Sequence, residues 1–270
     1  MPRLRFAVVG DNCVDRFMPP VGRTLIGGNA INVAVQLALM GHETYYFGAV
    51  GQDADGTRVC DLLMRNGVLT DHLRMVDETT AYTNIELSAS GDRIFALEDF
   101  GACRDYAPSA EEIEFLATMD HVHLGWIADG GRVRQALGAQ SLGLSQDISV
   151  NNDEAHLGVS GLGIAFASAG EDSAGAEKLA RELLARGARL AVVTRGGEGS
   201  LATDGRVWAD AGIAPVEVVD TTGAGDSFIA GFLDARLRGC DLQACLDRGR
   251  DRAALTCGHI GGFPQEPAPL

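Results

Sequence analysis

Basic residues are scarce in this chain. Twenty-two Lys and Arg stand against 37 Asp and Glu, a net charge of −15 over 270 residues. Nucleic acid and anionic membrane surfaces are met by basic patches, so neither is expected as a partner. A small anionic ligand is not excluded, because it needs only a local positive field. Cysteine is also sparse: Cys13, Cys60, Cys103, Cys240, Cys245 and Cys257 form no C-x-x-C pair. That argues against a structural zinc site and fits reduced thiols in a cytoplasmic protein. No stretch approaches the roughly 20 apolar residues that cross a bilayer. The opening run Ala7–Val9 is too short for a secretory h-region, so no signal is expected. There is no G-x-x-x-x-G-K-[ST] string, which excludes a P-loop phosphate site. Repeats, low-complexity segments and long linkers are absent as well.

What remains is a chain that is 46% hydrophobic, enough for a sizeable core. Short apolar runs alternate with longer amphipathic stretches. Strands are predicted at Phe6–Val9, Thr44–Val50, Asp120–Leu124, Leu144–Ile148, Gly163–Ala167 and Leu190–Thr194. Helices are predicted around Ala30–Ala38, Thr57–Asn66, Ala176–Arg186, Asp226–Arg238 and Leu242–Cys257. Such alternation predicts an α/β fold, a mostly parallel sheet covered on both faces. One region breaks the pattern. Thr83, Ile85 and Leu87 alternate with polar neighbours, Ser90-Gly91-Asp92 makes a turn, and Arg93–Leu97 returns. This is a β-hairpin with one wet face. With one or two strands from Asn12–Leu25 it would form a small β-sheet lid. The expected organisation is one domain over 1–270, with the lid from about 12–26 and 80–100 inserted in the core. His121 and His123 flank a buried-looking strand and read as structural.

The most informative string is Asp220-Thr221-Thr222-Gly223-Ala224-Gly225-Asp226-Ser227-Phe228. A valine-rich extended run, Pro215–Val219, precedes it. A helix follows, with Phe228, Ile229, Phe232, Leu233 and Leu237 on one face. Gly223-Ala224-Gly225 therefore sits at a loop-to-helix junction. Small residues there let backbone N–H groups face an anion, and the helix N-terminus adds about half a positive charge. Asp226 in the first turn lies beside whatever anion binds. An acid next to an anion hole suits phosphoryl transfer: amides hold the phosphoryl oxygens, and the carboxylate takes the proton of the attacking hydroxyl. An ordinary carboxylate pKa near ~4 suffices for that task. The plainer reading is a capping Asp after a glycine turn.

At this string the chain resembles the ribokinase-like (PfkB) carbohydrate kinases, whose C-terminal signature is D-T-x-G-A-G-D. The resemblance implies a three-layer α/β/α fold with a lid. It also implies an anion hole at Gly223, Ala224 and Gly225, and Asp226 as the catalytic base. The N-terminal signature is matched by Gly27-Gly28-Asn29-Ala30-Ile31-Asn32-Val33-Ala34, which implies sugar contacts from Gly27, Gly28, Asn29 and Asn32. Gly10-Asp11-Asn12-Cys13-Val14-Asp15 falls where the family places a sugar-binding acid, hence Asp11 and Asp15. Thr194-Arg195-Gly196-Gly197-Glu198-Gly199 is similar to the T-x-G-x-x-G loop along ATP, which implicates Thr194, Gly196 and Gly199. Ser168-Ala169-Gly170-Glu171 stands where the family has N-x-x-E. Glu171 would act on Mg²⁺ through water, and Ser168 replaces the Asn. Asp220 and Thr222 match positions that hold a monovalent cation, potassium in particular.

The resemblance extends to the subgroup that phosphorylates the 6-hydroxyl of a fructose carrying an amino acid, such as fructoselysine. It is carried by the opening G-D-N-C-V-D, by G-G-N-A-x-N-V-A, and by Phe166-Ala167-Ser168-Ala169, where Ser in place of Asn is natural. Glu86, Glu98 and Asp99 of the lid would then pair with the substrate's amine, or simply be solvated. Ribose, fructose, a nucleoside or a fructose phosphate stay open as acceptors. So does a non-catalytic sugar- or nucleotide-binding regulator, against which an intact Asp226 argues. ATP and Mg²⁺ are the expected cofactors. The partner is a small sugar or sugar-amine, and a homodimer through the lid is expected from its free edge.

Overall fold

The computed structural model describes residues 3–87, 93–139, 143–150, 156 and 158–270. Its first strand, β1 (Arg5–Val9), is buried from Phe6 onward, as a central strand covered on both faces must be. The chain then leaves for two strands of another sheet, β2 (Cys13–Phe17) and β3 (Arg23–Gly27). It returns through α1 (Asn29–Leu39), β4 (Glu43–Gly51), α2 (Ala54–Arg65) and β5 (Val68–Val76). Helix α2 begins before the predicted Thr57 because Asp53 caps it, its carboxylate accepting from Gly56 N at 2.7 Å.

The hairpin follows as β6 (Tyr82–Leu87) and β7 (Arg93–Asp99); the turn predicted at Ser90-Gly91-Asp92 lies outside the described residues. Then come α3 (Ala110–Leu116), β8 (His121–Leu124), α4 (Arg132–Gly138), β9 (Leu144–Asp147), β10 (Ile164–Ser168), α5 (Ser173–Ala185) and β11 (Ala191–Thr194). The chain closes with β12 (Ser200–Thr203), β13 (Trp208–Ala211), α6 (Ala224–Leu237), α7 (Leu242–Cys257) and the short β14 (Ala268–Pro269). The apolar periodicity of the sequence does not predict β5, β12, β13, β14, α3 or α4.

A nine-stranded sheet runs β13-β12-β11-β10-β9-β8-β1-β4-β5. Its strands are parallel except at β12 and β13, which pair antiparallel. One face buries Ile31 and Leu37 of α1, Val59 of α2, Phe232 of α6 and Leu246 of α7. The other buries Leu116 of α3, Leu137 of α4 and Leu183 of α5. These are the three expected layers. Helix α6 is buried all round between Ser227 and Ala235, rather than on one face only. Among the described residues, no helix is long and apolar enough to cross a membrane.

The second sheet has the order β14-β3-β2-β6-β7. On one of its faces Phe17, Leu25 and Ile85 pack with Val21 and Ile260. On the other, Val14 and Ile26 join the main core, and Arg16 reaches Asp55 of α2 at 2.8 Å. His121 and His123 of β8 are buried, and both bond to Ser145 Oγ at 2.8 Å. Burial pulls both rings down to about 3, so they are neutral structural groups.

Candidate active site

Ligands of open α/β sheets meet the carboxyl ends of the strands. At the end of β1, Asp11 accepts from Asn29 N at 3.0 Å and from Ala30 N at 3.1 Å. It thereby caps α1, whose own cap residue is Gly28 and supplies no side chain. Gly28 has φ 106°, and a Cβ there would lie 2.7 Å from Asn12 Cα. Only glycine lets the two loops approach so closely. Asn29 and Asn32 then sit three residues apart, on one side of the first turn of α1.

Both asparagines reach Asp226. Asn29 Nδ2 donates to its Oδ1 at 2.6 Å, and Asn32 Nδ2 to its Oδ2 at 2.7 Å. Asn29 Nδ2 also donates to Asp147 Oδ2 at 3.0 Å, at the end of β9. The Oδ1 atoms of Asn29 and Asn32 are buried and have no hydrogen-bond partner among the described residues.

Asp226 is the third residue of α6, which starts after Gly223 at φ 73°. A side chain at Gly223 would collide with Gly262 Cα. At Gly225 nothing lies within 4 Å of where a Cβ would be, so the turn is open on that side. Amides of a first helical turn have no acceptor within the helix. Here the Ala224 N–H donates to Thr221 O at 3.2 Å. Asp220 is buried, and its Oδ1 accepts from Thr222 N at 3.0 Å and Thr222 Oγ1 at 2.8 Å. Its Oδ2 accepts from Gly261 N at 3.0 Å, which joins this loop to the one after α7.

The electrostatics depart from the sequence expectation. Burial pushes the Asp226 carboxyl up to about 8. The Asn32 amide opposes the rise, the negative charges of Asp147 and Asp11 add to it, and the Asn29 amide opposes it again. Asp11 and Asp147 are also raised by burial. The amides of Ala30, Asn29 and Trp126 hold Asp11 back, and Ser149 and Asn29 hold Asp147 back. The arrangement can accept a proton near neutral pH at an open helix N-terminus.

A second group gathers at β10 and β11. Ser168 pairs in register with Thr194 and is exposed, and Ala169 N donates to Thr194 O at 2.9 Å. A Cβ on Gly196 would touch Glu171 Cγ at 3.5 Å, so exposed Glu171 lies against that loop. Gly199 follows, with Ala211 and Gly212 against it. From there the predicted extended run leads back to α7, Val219 N donating to Cys257 O at 2.8 Å. It forms no sheet, and Val216, Val218 and Val219 stand exposed.

On the second sheet, Asp15 Oδ2 would lie 3.3 Å from a Cβ at Gly27, and Cys13 Sγ is 3.2 Å from Thr83 Oγ1. Phe100, just after β7, stacks on Trp126 with centroids 4.4 Å apart. No motif in the sequence points to Asp147 or to the Phe100–Trp126 stack, and the valine-rich run is legible there only as an extended segment. Among the described residues, no three His, Cys, Asp or Glu converge as a metal cage. Mg²⁺ in nucleotide sites needs only one or two carboxylates besides phosphate and water, a demand that Glu171 fits.

The pfkB family carbohydrate kinase model matches residues 21–133 and 139–268. The fructoselysine 6-kinase of Shigella flexneri is 36% identical over 259 residues, covering 95% of this chain and 98% of that protein. The fructosamine kinase FrlD of Bacillus subtilis is 32% identical over 270 residues, covering 96% and 93%. Among solved structures, the Arabidopsis thaliana ribokinase complexed with ribose and ATP is similar with a TM-score of 0.87. It is 24% identical, and 96% of this chain and 94% of that one are covered.

Proposed function

The chain belongs to the pfkB family of carbohydrate kinases and is a sugar kinase; from that premise we propose that it transfers the γ-phosphoryl group of ATP to the 6-hydroxyl of a fructosamine such as fructoselysine. The observation that carries the reading is Asp226. Its carboxylate is clasped by Asn29 and Asn32, set in the open first turn of α6, and can take up a proton near neutral pH.

In this proposal Asp226 removes the hydroxyl proton as the acceptor oxygen bonds to phosphorus and the bond to the ADP oxygen breaks. The amides at Gly223, Ala224 and Gly225, helped by the dipole of α6, face the phosphoryl oxygens. Because Ala224 N–H already serves Thr221 O, Gly225 and Asp226 supply the freer amides. Asn29 and Asn32 keep the carboxylate aimed, and their unpartnered Oδ1 atoms are ready to accept sugar hydroxyls. Asp11 and Asp15, beside Gly27 and Gly28, grip the sugar from the other side. Asp11 still has lone pairs to offer after capping α1.

Ser168, Thr194, Gly196 and Gly199 line the nucleotide path, and the exposed Val216, Val218 and Val219 offer its base an apolar seat. Glu171 would hold Mg²⁺ through water, and that ion supplies neutralisation of phosphate charge. Asp220 and Thr222 remain the candidate potassium position. The second sheet acts as the lid.

The test is ADP formation with fructoselysine, fructose, ribose, adenosine and fructose 6-phosphate. Fructoselysine should give the highest kcat/KM. A higher value for ribose or adenosine would overturn the acceptor, and turnover of none would overturn the mechanism.

A further inference from the structure

Three acids of the second sheet were candidates for meeting an amine: Glu86, Glu98 and Asp99. Strand geometry separates them. Successive side chains of a strand point to opposite faces, and residues paired in register share a face. Asp15 of β2 pairs with Leu25 of β3 and Thr83 of β6. Thr83 pairs in turn with Glu98 of β7. Leu25, Asp15, Thr83 and Glu98 thus form one row on one face. That face carries the Phe17, Leu25 and Ile85 cluster and meets Ile260, one residue before the Gly261–Gly262 turn beside Asn32. It is the face turned toward the candidate active site.

Glu86 pairs with Ile94 and lies on the reverse face. Asp99 is engaged, accepting from Gly101 N at 3.0 Å and Arg104 Nη2 at 2.9 Å. Glu98 is exposed and forms no ion pair among the described residues.

Resting on the fructosamine reading above, we infer that Glu98 is the specificity residue that selects a cationic amine on the acceptor. A sugar phosphorylated at its 6-hydroxyl carries that amine on C1, at the opposite end of the hexose from Asp226. Glu98 stands on the other sheet, two strands from Asp15 or roughly 10 Å. Its segment is also tied to the site. Two residues on, Phe100 stacks on Trp126, whose backbone amide acts on Asp11. A charge-assisted bond to an ammonium would form there, at a partly wet position where such pairs are modest. Its effect belongs in acceptor binding rather than in the chemical step.

The measurement is kcat/KM for fructoselysine divided by kcat/KM for fructose, in the wild type, Glu98→Gln, Glu98→Lys and Glu86→Gln. The ratio should fall about tenfold in Glu98→Gln through a raised KM for fructoselysine, which corresponds to about 1.4 kcal/mol. It should fall further in Glu98→Lys and hold its wild-type value in Glu86→Gln. A wild-type ratio in Glu98→Gln, or an equal fall in Glu86→Gln, overturns the assignment. A wild-type enzyme that turns over fructose but not fructoselysine overturns the acceptor reading, and this inference with it, before any variant is compared.

Discussion

Asn29 Nδ2 stands 2.6 Å from Asp226 Oδ1 and joins the first turn of α1 to the first turn of α6. With the Asn32 bond to Oδ2, it brings together the two signature segments of the sequence, which lie nearly 200 residues apart. Replacing Asp226 by Asn keeps the size of the side chain and removes its basicity. Turnover should fall by a factor on the order of 10² to 10⁴ while ATP binding, read by calorimetry, stays within a few-fold. Near-normal turnover would remove Asp226 from its proposed role.

The same substitution should stabilise the fold. Asp226 is raised from its ordinary 3.8 to about 8. Between those values the folded chain keeps a proton that the unfolded chain has released, so stability falls as pH rises through this window. Asn carries no such cost. Asp226→Asn should therefore melt above the wild type at pH 8, and the gap should close near pH 4. Equal melting temperatures at both pH values would contradict the raised carboxyl.

Asp147 offers a test of the electrostatics alone. Asp226 is faced by Asn29 and Asn32 of α1, by Asp11 after β1 and by Asp147 of β9. Removing the Asp147 charge lets Asp226 lose its proton more easily. In Asp147→Asn the acid limb of kcat/KM against pH should move down by about half a unit or more. An unmoved limb accompanied by a lower plateau would mean that Asp147 only orients Asn29.

Strand β7 ends the second sheet and leaves Ile94 and Leu97 each about half exposed on the face opposite Glu98. An apolar edge of this kind invites a second strand. Sedimentation at micromolar concentration should show a homodimer, and Leu97→Asp should shift it toward monomer. A monomeric wild type would leave those side chains to some other role.

The layers of the main sheet were legible because β1, β4 and β10 are short apolar runs and the last two lead straight into helical periods. Strand β5 was not, because on the sheet edge only Val68 of its residues is fully buried and Asp71 and His72 interrupt the pattern. Pro215–Val219 reads as extended, but nothing in its composition told that it would pair with no strand. Asp226, Asn29 and Asn32 came from their motifs. Asp147 did not, since a single acid closing a four-residue strand has no motif, and only folding brings β9 beside α1. The division between Glu86 and Glu98 was also hidden, because the register shifts between Asn84 and Ile85. Alternation counted along the sequence cannot reveal such an irregularity. The acidity of Asp226 escaped for a related reason: it depends first on burial and then on the charges of Asp147 and Asp11, which only folding brings together.

Gln265 binds both backbone groups of Ile26, its Oε1 accepting from the N–H at 2.8 Å and its Nε2 donating to the carbonyl at 2.7 Å. It serves β3 as a surrogate strand residue, three positions ahead of β14. Any swing of the small sheet must carry Gln265 with it and pull on residues 260–262, the turn against which Gly223 and Asn32 rest. The proposed grip on the sugar and the proposed phosphate pocket would thus be geared through one side chain, so that closing over an acceptor and tightening around the transferring group would become a single movement.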